Sequence, residues 1–330
     1  VTTAVPVLDQ DDIERALTAA GAVAAIEDAL RRGIDIENDA PRLFSPVVAG
    51  EFLLMPTQSP QHAGIKVVTI APRNTERGLP KIQAWYLLFD AATLSPVAIL
   101  DGAHLTLLRT PAVTAVAVRA LLAADPRGPR DRIASLAVIG SGPQAEAHVR
   151  VLAATVSVGA VSIIGRTPQR VRALVERLRA DGFDARVGTP ADLPTAEVIV
   201  TVTSSSEPVL ARAQVADDAI VAAVGSHGTD HRELAADLIR GADLVVEARA
   251  SALRENGNVL VARPAEEWRA GAQPMHNVRE LVSDSIVRTA RRPAVYTGVG
   301  MSWEDLAVVE GIMAGAADLI TDDRSRKGAP

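Results

Sequence analysis

The run Val138-Ile139-Gly140-Ser141-Gly142-Pro143-Gln144-Ala145 constrains this chain more than any other stretch, because it passes from an apolar strand through two glycines into an amphipathic helix. Gly140 permits a tight turn, Gly142 lets the backbone come close to an anion, and Ala145 allows close packing of helix on strand. The helix that follows offers free N–H groups and the positive end of its dipole. Such a turn is a pyrophosphate cradle, with Gly140, Ser141, Gly142, Pro143 and Gln144 as its cofactor-binding candidates. The alternative is a glycine-rich turn with a structural role only. Where the second strand of such a unit ends, the chain reads Gly165-Arg166-Thr167. A carboxylate there binds the ribose hydroxyls of NAD, whereas Arg166 and Thr167 suit the 2′-phosphate of NADP. An arginine that merely opens the next helix is the competing account.

The alternation around the cradle predicts a doubly wound parallel sheet of the Rossmann type. Apolar runs at 136–139, 160–164, 185–187, 198–202, 220–224 and 244–246 read as strands, with helices at 144–155 and 169–180 between them. The segment before it has a different pattern. Helical periodicity covers 11–32; short strands follow at 43–48, 51–55, 64–70, 82–89 and 96–100; a helix from Pro111 to Ala124 leads out. Asp125-Pro-Arg-Gly-Pro-Arg-Asp131 is dense in proline and charge and reads as a linker. The expected division is a strand-rich α+β domain over 1–120, a dinucleotide-binding domain over 121–300, and a C-terminal helix over 301–330 that returns to the first domain. Ser302-Trp-Glu-Asp305 is taken as a capping box opening that helix, which is expected to run to about Ile320.

Composition excludes several classes. The net charge of −6 and pI near 5.6 carry no basic bias towards nucleic acid or an anionic membrane. The absence of cysteine removes disulfides, thiolate metal sites and a cysteine nucleophile. Val1–Gln10 has neither a basic nor an apolar leader region, and the uncharged stretch Val151–Gly165 is too short and polar to span a bilayer. A cytoplasmic protein without metal, membrane or nucleic-acid partner is expected.

Only three of the 34 basic residues are lysines, and Lys66 lies in Gly-Ile-Lys-Val-Val-Thr-Ile, among β-branched neighbours. A buried ammonium must snorkel, pair with an acid, or face an anionic ligand. Arg109, in Leu-Leu-Arg-Thr-Pro, poses the same question, and with Arg42 it can clamp a carboxylate. Internal salt bridges to acids such as Asp101 or Glu51 explain these cations equally well. Beyond the fifth strand, Val224-Gly-Ser-His-Gly-Thr-Asp-His231 places His227, Asp230 and His231 where a doubly wound sheet binds ligands, as acid or base candidates or as a solvated polar loop. His62, His104, His148 and His276 lack metal-ligand spacing and read as core or surface residues.

The chain resembles the ornithine cyclodeaminase/μ-crystallin family along most of its length. The resemblance rests on Met55-Pro56, Gly64-Ile-Lys66-Val-Val-Thr69, Asn74 with Gly78-Leu-Pro80, Gln83 with Leu87-Leu-Phe89, Asp101-Gly102, and Leu105-Thr106 with Leu108-Arg109-Thr110. It continues through Gly140–Gln144, Thr201–Pro208, Val224-Gly225-Ser226, Arg232-Glu-Leu234, and Gly298-Val-Gly with Asp305-Leu-Ala. The resemblance implies a homodimer built through the first domain, which binds a small amino or imino acid. It assigns the substrate carboxylate to Arg42, Lys66 and Arg109, places Thr110 and Val224–Ser226 against a nicotinamide, counts Thr203 among the cofactor contacts, and uses Gly298 to close the same pocket.

One departure matters. Members that cyclise ornithine carry an aspartate after Gly225, where this chain has His227, with Asp230 three residues on. The pattern is closer to ketimine-reducing members, and Gly165-Arg166-Thr167 to NADP-using ones. The expectation is an NADPH-dependent reductase of a cyclic ketimine carboxylate, such as pyrroline-2-carboxylate, with Lys66, Asp230 and His227 as its catalytic candidates. The alternatives are an NAD-dependent ornithine cyclodeaminase, an alanine-type dehydrogenase, and a non-catalytic NADPH-binding protein like the crystallins.

Overall fold

The computed structural model describes residues 5–226, 228–283, 286 and 288–316. The chain forms two compact units: one takes the residues up to Ile26, Asn38–Arg109 and the chain from Met301, the other Glu27–Glu37 and Thr110–Gly300.

The first unit is built on a six-stranded sheet. Its strands are β1 (Val7–Leu8), β2 (Leu43–Val47), β3 (Gly50–Gln58), β4 (His62–Ile70), β5 (Ile82–Asp90) and β6 (Pro96–Asp101), in the order β1-β6-β5-β4-β3-β2. The pairs from β2 to β6 are antiparallel and β1 joins β6 in parallel. Side chains alternate between the two faces. Leu53, Met55, Lys66, Val68, Tyr86 and Leu88 are buried on one, and helix Ser302–Gly315 packs on β3 and β4. The other face is apolar yet open: Leu43, Phe52 and Trp85 are 53%, 37% and 51% exposed, and the register carries Leu54, Val67 and Trp85 across three strands.

Helix boundaries differ from the sequence reading in three places. The helix expected over 11–32 is two, Gln10–Ala16 and Ala19–Arg31. Leu17 is extended between them, and the Thr18 hydroxyl accepts the N–H of Gly21 at the start of the second. The helix expected from Pro111 begins at Gly102 and carries Pro111 inside it. Asp101 starts it, accepting the N–H groups of Ala103 and His104 at 2.9 Å each. Gly102–Ala123 is long and apolar enough to cross a membrane, yet 72% of the window that qualifies is buried within the protein, as in a core helix.

The third difference concerns the capping box. Helix Ser302–Gly315 has Met301 as its N-cap, with no side-chain cap of its own. Its first N–H groups need an acceptor, and the Asp39 carboxylate supplies it, 2.8 Å from Ser302 N and 3.4 Å from Trp303 N. Glu304 and Asp305 are thereby left for another task. The expected extension to Ile320 lies outside the described residues.

The second unit holds an eight-stranded parallel sheet. Its strands are β7 (Arg132–Ile139), β8 (Ser157–Ile164), β9 (Ala185–Val187), β10 (Val198–Thr201), β11 (Ile220–Ala223), β12 (Asp243–Val246), β13 (Met275–Asn277) and β14 (Ala294–Thr297), ordered β13-β12-β14-β11-β10-β7-β8-β9. The six apolar runs are all strands of this Rossmann-type sheet. β13 and β14, of three and four residues, are too short to give a period. From β7 the chain moves outward to β8 and β9, then returns to β10 on the other side of β7. The carboxyl ends flanking this reversal are where doubly wound sheets bind ligands.

Candidate active site

In the first unit, Lys66 and Arg109 meet two buried carboxylates. The Lys66 ammonium lies 2.8 Å from both oxygens of Asp305 and 3.3 Å from the Thr106 hydroxyl. Arg109 donates to Glu304 at 2.8 Å, and its Nε lies 3.2 Å from Asp305. All four side chains are at least nine-tenths buried. The internal-salt-bridge account of the cations is therefore correct in kind, but Asp101 is not the acid, being used as the helix cap. From sequence, Asp305 entered only within the motif Asp305-Leu-Ala, and its pairing with these cations, like that of Glu304, was masked because Ser302–Asp305 reads as a capping box.

Burial and then the charge of Arg109 push the Lys66 ammonium down to about 8, and Asp305 opposes that fall. Arg42 is half-buried, and its charge also reaches Lys66. Opposite Lys66 on β5, Tyr86 is fully buried, and burial followed by the Asp305 charge raises its phenol well above the usual range. Breaking such a buried pair by removing one partner costs on the order of 3–5 kcal/mol, because an uncompensated charge is left behind. A buried concentration of charge this expensive makes the cluster a candidate site.

In the second unit, the glycine turn has the geometry of an anion cradle. Gly140 has φ 141°, and a Cβ there would lie 2.8 Å from the carbonyl oxygen of Val202 on the neighbouring loop. Gly142 is the N-cap of helix Pro143–Ala153, and a Cβ on it would meet nothing within 4 Å. The space before the helix N-terminus is thus open. Ala145 is fully buried against the sheet. These residues fit the pyrophosphate of a dinucleotide. Arg166 and Thr167 are exposed at the end of β8, where Arg166 forms no ion pair among the described residues.

Two buried glutamates brace the other loops at the carboxyl end of the sheet. Glu233 accepts the N–H of Thr203, after β10, at 2.5 Å and that of Gly225, after β11, at 2.7 Å. Burial raises its carboxyl despite these bonds. Glu247, just after β12, accepts the N–H groups of Val299 and Gly300 at 2.9 Å each, and a Cβ on Gly298 would overlap its carboxylate. Val224 and Ser226 lie on the same braced loop, Ser226 being buried. From sequence, Glu233 entered only within the motif Arg232-Glu-Leu234 and Glu247 not at all, although an acid closing the apolar run Leu244–Val246 was a visible signal.

The remaining candidates are less ordered around a centre. Asp230 is an exposed turn residue that accepts the Thr229 hydroxyl at 3.4 Å. His227 lies outside the described residues. Thr110 is buried and its carbonyl accepts the Thr114 hydroxyl. His148 is a core residue: its ring nitrogens lie 2.7 Å from Gln144 O and 3.2 Å from the Thr114 hydroxyl, and burial pushes it down to about 4.

Comparison with known proteins gives the same motifs a family. The model of the ornithine cyclodeaminase/mu-crystallin family matches residues 4–318. The Δ1-pyrroline-2-carboxylate/Δ1-piperideine-2-carboxylate reductase of Azospirillum brasilense is 31% identical over 309 residues, 92% of this chain and 93% of that protein. The ketimine reductase mu-crystallin of Mus musculus is 31% identical over 247 residues, 74% and 73% of the two chains. In fold, the chain matches the Thermococcus litoralis Δ1-pyrroline-2-carboxylate reductase solved with NADH and L-proline, at a TM-score of 0.82 and 22% identity, covering 95% of this chain and 98% of that one. With both units and nearly the whole length accounted for, the chain belongs to the ornithine cyclodeaminase/mu-crystallin family.

Proposed function

We propose that the protein is an NADPH-dependent reductase of a small cyclic α-imino acid, of the class of Δ1-pyrroline-2-carboxylate. The observation that carries this reading is the pair of buried cations in the first unit, Lys66 on β4 and Arg109 on helix Gly102–Ala123, both in contact with Asp305. Glu304 and Asp305 pair with those two cations, and a substrate carboxylate is received by Lys66 and Arg109 together with Arg42, whose charge also reaches Lys66. Held there, the carboxylate fixes the adjoining imine carbon, and the cationic field favours its attack by a nucleophile. A reduced nicotinamide supplies hydride when bound. The imine nitrogen takes a proton as the carbon takes the hydride; Asp230, His227 and water are the candidate donors. Gly140–Gln144 would receive the pyrophosphate, with Thr110, Thr203, Val224, Gly225, Ser226 and Gly298 as the other cofactor contacts.

The choice of NADPH rests on Arg166 and Thr167. Helix Pro168–Ala180, which follows them, has no acid in its first turn and no side-chain cap, so a phosphate would meet both the guanidinium and the dipole. The open apolar face of the first unit supports a homodimer, since faces of this kind on folded proteins are covered by partners.

An assay panel tests the reading. Δ1-Pyrroline-2-carboxylate and Δ1-piperideine-2-carboxylate with NADPH are expected to be the best substrates. Conversion of ornithine to proline and ammonia with NAD+, or faster amination of pyruvate than reduction of either cyclic imine, would overturn it.

A further inference from the structure

We propose that Asp305 is a positioning residue for this reaction, holding the ammonium of Lys66 and the guanidinium of Arg109 in one geometry and acting on the substrate through them. The proposal rests on the imine-reductase reading of the same site. The Asp305 carboxylate touches both cations, 2.8 Å from Lys66 Nζ and 3.2 Å from Arg109 Nε. Glu304 reaches Arg109 at 2.8 Å. The helix bearing Asp305 is pinned at its first turn by Asp39, so the carboxylate is delivered to a fixed point between the cations.

The electrostatics explain what this carboxylate does. Lys66 is faced by Arg109 and Thr106 from helix Gly102–Ala123, by Asp305 from helix Ser302–Gly315, by Arg42 from the segment before β2, and by Tyr86 across the sheet on β5. Burial, Arg109 and Arg42 all favour loss of its proton; Asp305 opposes them both by charge and by hydrogen bonding. A neutral amine binds a carboxylate poorly, so the clamp loses half its grip when that support goes. Removing an adjacent opposite charge lowers an ammonium by about one pH unit or more.

The small number of lysines makes this measurable without turnover. Protein labelled with 13C-lysine gives signals from Lys66, Lys81 and Lys327, assigned with K81R and K327R. The Lys66 signal of the unaltered protein is expected to titrate near 8, and that of Asp305→Asn at or below about 7. In parallel, the alkaline limb of kcat/KM for Δ1-pyrroline-2-carboxylate with NADPH should move down by the same interval. The loss should lie mainly in KM and be largely recovered at pH 6. An unmoved Lys66 titration, or a loss of activity equal at every pH, overturns the proposal. If the unaltered protein reduces no cyclic imine while Lys66 still responds to Asp305→Asn, it is the functional reading that fails and the electrostatic assignment that stands. Should Asp305→Asn not fold, Asp305→Glu decides: it should leave Lys66 titrating near 8 but raise KM about tenfold by displacing the clamp, and an unchanged KM overturns the positioning role.

Discussion

The carboxylate of Glu233 holds the backbone N–H of Gly225 at 2.7 Å, and with its other oxygen it holds Thr203 at 2.5 Å. One buried side chain thus fixes the spacing of two loops that follow adjacent strands. The approach is so close that a Cβ on Gly225 would overlap the Thr203 backbone and the Glu233 carboxylate. Gly225→Ala is expected to keep the fold by circular dichroism and to weaken dinucleotide binding at least about tenfold in fluorescence titration. Glu233→Gln loses one of the two acceptors and should cost about 1–3 kcal/mol in urea unfolding. Unchanged cofactor affinity in Gly225→Ala would show that these loops do not contact the dinucleotide.

Replacing Lys66 by methionine separates an enzyme from a cofactor carrier. The clamp loses one cation, and Arg109 alone is left to face Asp305 and Glu304. Reduction of Δ1-pyrroline-2-carboxylate should fall about 100-fold or more, with NADPH affinity within about twofold of the unaltered protein. A variant that reduces the imine as well as its parent would remove Lys66 from the site.

Arg166→Ala bears on the choice of cofactor. A charge-assisted hydrogen bond to a phosphate contributes about 1.5–3 kcal/mol, so NADPH should bind at least about tenfold more weakly. NADH should be affected less than about twofold, since it lacks the 2′-phosphate. Equal weakening of both cofactors, measured by equilibrium titration, would place Arg166 elsewhere.

How much of this was legible in the sequence depends on the range of the interaction. Gly140–Ala145 and the six apolar runs are local patterns, and each was found where it was expected. Lys66 and Arg109 were recognisable as cations in apolar surroundings, but their partners lie 239 and 195 residues away. Neither spacing nor periodicity reports such a distance. Asp39 escaped for the same reason: its link to Ser302 spans 263 residues. The two short strands β13 and β14 were invisible to periodicity, although β14 lies in the middle of the sheet, between β12 and β11.

Two groups should shape stability against pH in opposite senses. His148 is held down to about 4 by burial. As pH falls from about 6.5 to 4 the unfolded chain takes up a proton first, and the folded state loses up to about 3 kcal/mol. Asp39 is raised to about 6, burial outweighing the Ser302 and Trp303 N–H groups. Here the folded state holds the proton more tightly, so stability falls as pH rises from about 4 to 6. His148→Gln should flatten the acid loss in urea titrations, whereas Asp39→Asn should steepen it. Identical pH profiles for both variants and their parent would refute the assignment.

The open sheet face offers a test of assembly. Trp85 is 51% exposed and shares its face with Leu54 and Val67 through the strand register. Trp85→Arg puts a charge into that face and should give a monomer in sedimentation experiments where the parent sediments as a dimer. A variant that remains dimeric would move the interface to another surface.

The Lys66–Asp305 pair also sets an order of events during synthesis. The sheet from β2 to β6 can be completed once residue 101 has emerged, with an ammonium committed to its buried face. Its counter-ion arrives only after the whole parallel-sheet unit has been translated. Until then Lys66 has either to shed its proton or to stay wet, so the first unit matures last even though it is begun first. Nascent chains released before residue 305 should therefore display this sheet in an open, protease-sensitive form.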